Sequence, residues 1–390
     1  MTTVLKRLTD AGVVPGIIGQ FGQLPGNEDR TGNDSTETGS SVSTVRFADT
    51  YKKVKLPDSN GIVFLVAKGS NVYDMSQLVQ SITWSGAKSA MPRTLEVTML
   101  DSDQHGKIRP DIDVEEGQQC LFMYNGQELF RGIFFSSSQT ASRTATYVAY
   151  DAGIYLAKNM DTFVFKKKTA TQIFQAICKR FGMEHTEVNT GYTIGDLTMQ
   201  NVTAADAIWN ALAKTYKAKG TRYYVWCEKG VMKLISRADN VIKIVLEEGA
   251  NTIDFTRERS LENVYTRVKL YSDENKVLGS AKDTSIEAKI GVMQYAESGD
   301  KEKAAQMQAK AKNLLSIKKK SEETLEVEMI GDATIHSGVA VYVNLPYLGL
   351  KQTYFVDEDE HTFTKSSHTM TLKLNAVNEP YIDESIEDDE

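Results

Sequence analysis

The sequence predicts an α+β protein that is mostly β, built as two small β-barrels with an α-rich insert between them. Three observations predict this. Short segments with period-two alternation crowd residues 61–150. Two helix-period segments with start signals follow, one from Thr169 to Gly182 and one opening at Thr203. The β pattern then returns from 252 to 374, interrupted by one helix.

In chain order, residues 1–29 form a short arm, followed by Arg30 to Ser43, which reads RTGNDSTETGSSVS. Gly, Ser, Thr and acids cannot bury enough apolar area to offset their ordering entropy, so this stretch is a linker. Extended, its fourteen residues reach about 45 Å. The arm either docks on a neighbouring subunit or stays mobile.

Gly61–Val66 is β-branched and aromatic, while Ser81–Ser85 and Thr94–Met99 alternate with period two. Gln119–Tyr124 and Glu128–Phe135 flank Asn125-Gly126, a strong hairpin signal. Arg143–Tyr150 closes this set, which suggests a closed or half-closed barrel. Thr169 with Gln172 is a capping box, and Ile173, Phe174, Ile177, Cys178 and Phe181 share one face behind it, ending at Gly182. A second helix opens at Thr203 with Asp206, and Ala207, Ile208, Ala211 and Leu212 line its inner side. Arg222–Cys227 and Val231–Ser236 make a hairpin across Glu228-Lys229-Gly230.

β pattern resumes at Thr252–Tyr271. A helix with Ala304, Met307, Ala311 and Leu314 on one face follows, then strands at Glu323–Met329, Val339–Val343, Thr353–Val356 and His368–Leu374. The expected divisions are an arm and linker over 1–55, a first barrel over 56–158, an insert over 159–245 and a second barrel over 246–378. The acidic tail, 379–390, holds acids and no base from Asp383 onward.

Composition narrows the function. With 45 basic and 52 acidic residues the net charge is −7, which disfavours a phosphate-binding surface. Lys166–Lys168 and Lys318–Lys320 are solvated charge without interleaved aromatics. Cys120, Cys178 and Cys227 are widely spaced and lack a CxxC, so they are expected as buried reduced thiols of a protein made in a cytoplasm. The run Val13–Ile18 is too short and too interrupted for a signal peptide, and no stretch has the length of a membrane span.

No catalytic, cofactor-binding or metal-binding residue is assigned. Asp101-Ser-Asp103-Gln-His105-Gly106 starts like a calcium loop, but His105 and Ile112 stand where oxygen ligands are needed. Asp111, Asp113, Glu115 and Glu116 form one acidic cluster and Asp357, Glu358, Asp359 and Glu360 another. Both read as solvated faces and not as a catalytic carboxylate pair. His361 and His368 flank the turn Lys365–Ser367; they could meet on a hairpin, with Asp359 as a third metal ligand, although such a hairpin needs no metal. No Walker loop, GxGxxG after a strand or nucleophile motif occurs.

Four stretches carry a resemblance. They are Tyr73–Val79 with Ile82-Thr83-Trp84; Val148–Asp151 leading into Thr162–Lys166 and Thr169–Thr171; Arg259–Tyr271; and Phe355–Glu358 with His361 and His368–Leu372. In this order they resemble the baseplate hub family of contractile tails in Gram-positive phages, defective prophages and phage-tail-like (R-type) bacteriocins, the XkdQ/YqbQ type, over roughly residues 60–377. The arm and linker lie outside that pattern. The resemblance implies a non-enzymatic hub without cofactors: a homotrimer whose two related barrels per chain form a pseudo-six-fold ring, adapting a six-fold tail tube to a three-fold spike. Implied partners are the tail tube or tube-initiator protein, the central spike, a LysM-type baseplate protein, and wedge and tape-measure proteins. The implied setting is the tail baseplate, assembled in a Gram-positive cytoplasm. An acidic lumen would also suit the passage of DNA. Two other readings stay open, a tail-associated peptidoglycan hydrolase and a wall-binding module built on residues 169–236.

Overall fold

The computed structural model describes residues 17–20, 60–68, 71–100, 114–237, 241–272, 275–298 and 304–376. The expectations placed on the linker, the Asp101–Asp113 loop and the acidic tail lie outside them. The chain divides into a unit of residues 255–326 and a larger unit made of everything else.

The larger unit is organised by one sheet. Its first strands are β1 (Ile17–Gln20), β2 (Ile62–Lys68), β3 (Asn71–Asp74), β4 (Val79–Ala87), β5 (Thr94–Leu100), β6 (Gln119–Tyr124), β7 (Gln127–Gln139) and β8 (Thr144–Tyr150). They pair in the order β1-β3-β2-β6-β7-β8-β5-β4. The β6–β7 turn is as the sequence indicates: Asn125 and Gly126 have φ of 50° and 76°, the left-handed pair that a two-residue hairpin of this type requires.

The expectation of two barrels is corrected at β4. This strand does not return to close a ring; it pairs antiparallel with β23 (Leu350–Thr364), from Ser81↔Thr364 to Ala87↔Glu358. The sheet continues through β24 (His368–Asn375) to β21 (Glu322–Ile330) and β17 (Thr252–Ser260), with β22 (Ala340–Leu345) on β23 and β16 (Val241–Glu247) parallel to β22. Among the described residues there is no closed barrel, but one fourteen-stranded sheet shared by both ends of the chain. The reason is a non-local ladder, which alternation within either segment cannot reveal.

The core confirms the sharing. Phe363 of β23 is fully buried in the cluster formed by Phe64, Ile82, Leu95, Val97 and Phe122. Its ring lies 4.9 Å from those of both Phe122 and Tyr124.

A short helix, α1 (Gly153–Lys158), leads from β8 into the insert. There β9 (Met160–Phe165) pairs with β13 (Leu197–Thr203), β10 (Lys168–Thr169) with β12 (Thr193–Ile194), and β15 (Val231–Ser236) lies between β11 (His185–Glu187) and β14 (Tyr223–Glu228). Helices α2 (Ala170–Arg180) and α3 (Ala204–Lys219) both open with the expected capping boxes, Thr169 with Gln172 and Thr203 with Asp206. The predicted stripes are buried: Ile173, Phe174, Ile177 and Cys178 meet Ala207, Ile208, Ala211 and Leu212. All three cysteines are free and buried; burial pushes the Cys178 thiol up to about 12 and the other two upward as well.

The smaller unit carries β18 (Arg267–Tyr271) between β19 (Val277–Lys282) and β20 (Gln294–Ser298), with α4 (Thr284–Ile290) and α5 (Ala304–Lys318). Val268 and Leu270 pack on Met307, Ala311 and Leu315 of α5; Met307 and Ala311 are as the periodicity indicates, while Leu315 takes the buried place expected of Leu314, which is only partly buried. Helix and strand approach closely at Gly279, where a Cβ would lie 2.7 Å from the Met307 carbonyl carbon. Neither backbone can yield without moving the helix. Gly279→Ala should therefore destabilise this unit by about 1–3 kcal/mol, the cost of overpacking. Hydrogen exchange checks it: amides of β18, β19 and α5 lose protection while those of β23 and β24 keep theirs.

Candidate functional site: the buried ionic junction on strand β23

Strand β23 alternates, so the acidic run splits between two faces. Glu358 and Glu360 are exposed, as expected of a solvated face. Asp357 and Asp359 turn inward, which corrects the uniform reading of that run. Asp359 is 3% exposed and Arg93, which precedes β5, is 4% exposed.

The two form a bidentate pair. Arg93 Nη1 donates to Asp359 Oδ1 at 2.9 Å and Nη2 donates to Oδ2. The Ser337 amide also donates to Oδ1. The Ser337 hydroxyl joins Tyr224 Oη at 3.0 Å and lies 3.4 Å from Arg93 Nη1. The guanidinium carbon stands 3.9 Å from the Trp84 ring centroid. Gly86, opposite Asp359 on β4, makes the room: a Cβ there would run into the guanidinium.

Burial opposes ionisation of Asp359. The Arg93 charge, with hydrogen bonds from His361 and Arg93, outweighs it and holds the carboxyl well below the usual range. Burial likewise works against the Arg93 charge, and Asp359 more than offsets it.

Asp357 makes a second knot. It pairs with Lys88 after β4 and with Arg237 after β15, and it accepts from Asn375 of β24 at 3.3 Å. Arg237 also donates to the Val356 carbonyl at 3.1 Å. Side chains from the N-terminal strands, the insert and the C-terminal strands thus converge on three residues of β23.

The histidines continue the chain inward. His361 Nε2 lies 2.9 Å from the Ile335 carbonyl and 3.4 Å from Asp359 Oδ2, so this nitrogen carries the proton. Its Nδ1 then accepts from His368 Nε2 at 3.1 Å. The two histidines do meet across the hairpin, as the sequence allowed. Among the described residues, however, no group of three or more His, Cys, Asp or Glu could hold a metal ion. Nearby, His336 stacks on Trp226 with ring centroids 4.2 Å apart. Burial, aided by the neighbouring positive charge of Arg93, lowers His336 to about 4; burial and then His361 lower His368 to about 4.

Asp151 is buried behind Arg93 and accepts from the Gly153 amide at 2.8 Å; burial raises it to about 7. Of the other acidic cluster, the described members are exposed: Glu115 pairs with Lys68 and Glu116 accepts from Ser137. Sequence reasoning missed Arg93, Gly86, Tyr224, Arg237 and Ser337. The one available signal was an arginine flanked by apolar β runs.

This arrangement joins parts of a sheet, and the fold is that of phage tail proteins. The structure matches the 43 kDa tail protein of prophage MuSo2 from Shewanella oneidensis with a TM-score of 0.62 at 15% identity, covering 81% of this chain and 97% of that one. It matches a tail protein of Neisseria meningitidis MC58 at 0.59 and 15% identity, over 80% and 96%. The chain belongs to the YQBQ-like family, which matches residues 82–375. It is 35% identical to the phage-like element PBSX protein XkdQ of Bacillus subtilis (strain 168) and 33% identical to YqbQ of the same strain. Each alignment covers 76% of this chain and 92% of the relative.

Two predictions follow from the junction. Arg93→Met leaves Asp359 buried and unpaired, so it should cost about 3–5 kcal/mol, whereas the double variant Arg93→Met/Asp359→Leu should recover most of that loss. Urea denaturation of the two single variants and the double variant measures this coupling. The second concerns pH. Asp151 in the fold holds its proton to about 7, while an unfolded aspartate releases it near 3.9, so Asp151 lowers stability progressively as pH rises from about 4 to about 7. Asp151→Asn keeps the acceptor for Gly153 and should be more stable than the natural protein at pH 8, with little difference at pH 4, read by thermal unfolding at both.

Proposed function

We propose that this chain is the structural hub of a contractile-tail baseplate, and that it acts as a homotrimer between tail tube and central spike. The observation that carries the reading is the ladder from Ser81↔Thr364 to Ala87↔Glu358, clamped by Arg93 and Asp359, which makes the two ends of the chain one sheet. An adaptor that passes force from tube to spike needs its two strand groups to move as one piece. Family membership and the tail-protein fold support the same reading.

On this proposal the N-terminal and C-terminal strand groups are the two related tube-like domains, and three copies present six such groups to the tube. Closure follows from heterologous contacts that complete a rotation. The tube or its initiator, the spike, a LysM-type baseplate protein, and wedge and tape-measure proteins are the partners. The protein is made in a bacterial, Gram-positive cytoplasm, a reading that the buried free thiols suit. Its work is mechanical and involves no catalysis.

A cryo-EM reconstruction of intact tail particles from a producing strain tests this. The expected result is three copies in a ring between the last tube hexamer and the spike. Density for another protein there, with this chain peripheral or absent, overturns it; a zymogram on cell walls and a wall pull-down would then decide between hydrolase and wall-binding module.

A further inference from the structure

We propose that two surface patches of opposite charge meet between successive copies of this chain. A lysine-rimmed apolar strip on β9 of one copy seats on a glutamate-rimmed apolar corner of the next, formed by β16, β17 and β21. The inference rests on the self-association of the hub reading and assigns the faces that carry it.

The first patch lies in the insert, where β9 and β13 form a sheet of two strands. Alternation along β9 sends Phe163 into the core and Met160, Thr162 and Val164 outward. Met160 is 64% exposed and Val164 is 55% exposed. Thr203 and Thr198, opposite them on β13, add hydroxyls and no charge. Lys158 stands just before the strand, and Lys166, Lys167 and Lys168 follow it, all of them exposed. Of the nearby acids, Asp161 is paired with Arg180, and Asp196 is exposed just before β13.

Asn251 ties the second patch together. Its Nδ2 donates to the Val245 carbonyl at 3.0 Å, and its Oδ1 accepts from the Glu247 amide at 3.0 Å. Its own carbonyl accepts from the Ile330 amide at 2.9 Å. These bonds gather the apolar side chains of Val245 and Ile330, and Ile253 stands two residues along β17. The three are 44%, 57% and 55% exposed. Glu247, Glu248 and Glu328 are exposed around them. Lys351 lies two strands from Glu247, across Asn344. Because β17 ends its sheet, no described strand pairs beyond it there.

Scattered exposed apolar groups need no explanation, but grouped ones with a polar rim mark interaction sites. Charge complementarity identifies the occupant as a second copy. With a net charge of −7 the chain repels itself as a whole. At physiological ionic strength charges more than about 8 Å apart are screened, so the groups at the seam decide. Lysines facing glutamates attract, whereas glutamates facing glutamates exclude the wrong pairing. The lysine strip and the glutamate corner are different surfaces of one chain. Contact between them is therefore heterologous, passing from copy to copy, and it closes a ring when the rotation completes.

Sedimentation velocity of the full chain over a concentration series tests this, with circular dichroism confirming that each variant is folded. Lys166→Glu/Lys168→Glu and Glu248→Lys/Glu328→Lys each set like charges against one another. Each double variant should associate at least about tenfold more weakly than the natural chain. Combining all four substitutions in one chain exchanges the signs and should restore association to near the natural value. Added salt should weaken the natural chain's association. Double variants that associate as tightly as the natural chain overturn the inference and leave the hub reading standing. So does a fourfold variant that is no tighter than the double ones. A natural chain that stays monomeric also overturns it, and the reconstruction of tail particles then judges the hub reading separately.

Discussion

A guanidinium and a carboxylate that are both withdrawn from water must find each other, because either one alone in that place costs several kcal/mol. Arg93 and Asp359 are separated by 266 positions in the chain and reach one another only if β4 lies beside β23 in one particular register. A slip of one residue would turn Asp359 outward and bring Glu358 or Glu360, one methylene longer, into the place beside Gly86 that the Arg93 guanidinium fills around an aspartate. The same slip would withdraw Phe363 from between Phe122 and Tyr124. The ion pair is therefore better understood as a register device than as a source of net stability. The large sheet inherits its continuity from it, and Trp84, Gly86 and Ser337 are what make the pocket fit.

Much of the local structure was legible in the sequence, for reasons that are themselves local. A capping box needs two residues three apart, and both were visible at Thr169 and Thr203. The Asn125-Gly126 turn is written in two adjacent residues. The buried faces of α2 and α3 follow from helical period alone. Short elements without an apolar stripe were not legible: α4 buries none of its side chains, and β10 and β12 are two residues each. The pairing of β4 with β23 and of β16 with β22 was invisible because a strand's sequence does not name its neighbour. Expecting barrels supplied local closure where the molecule uses a distant partner.

The candidate site failed to show for a related reason. Four consecutive acids look like a solvated run until the strand's alternation is applied to them, and then two must face inward. Which two depends on the sheet, and what neutralises them depends on Arg93, Lys88 and Arg237 from three other places. Tempting chemistry dissolves by the same accounting. His361 and His368 approach as closely as a shared metal would require, but both ring nitrogens of His361 are already committed, one to the Ile335 carbonyl and one to His368. A metal ion would have to displace those bonds inside a hairpin where His368 also stacks on Phe363, 3.9 Å away. The imidazoles are better seen as polar packing that ties the hairpin to the loop before β22. Burial lowers His368 to about 4 and keeps it neutral there, so its hydrogen bond needs no counter-ion.

In the hub reading these features acquire a common logic. Force that enters at one strand group and leaves at the other must cross the β4–β23 seam. Seven consecutive register pairs loaded along the strand direction resist as a row, all bonds sharing the shear, whereas a seam opened from one end yields one bond at a time. The ionic knots are placed where such unzipping would start. Asp357 with Lys88 and Arg237 guards the end of the ladder at Ala87, and Asp359 with Arg93 stands one register pair further in. The opposite end, at Ser81 and Thr364, is held by Phe363 in the shared core and by Lys365 donating to the Gln77 carbonyl at 3.2 Å. A seam pinned at both ends and free of exposed apolar joints suits a part that must arrive intact after a single, violent movement.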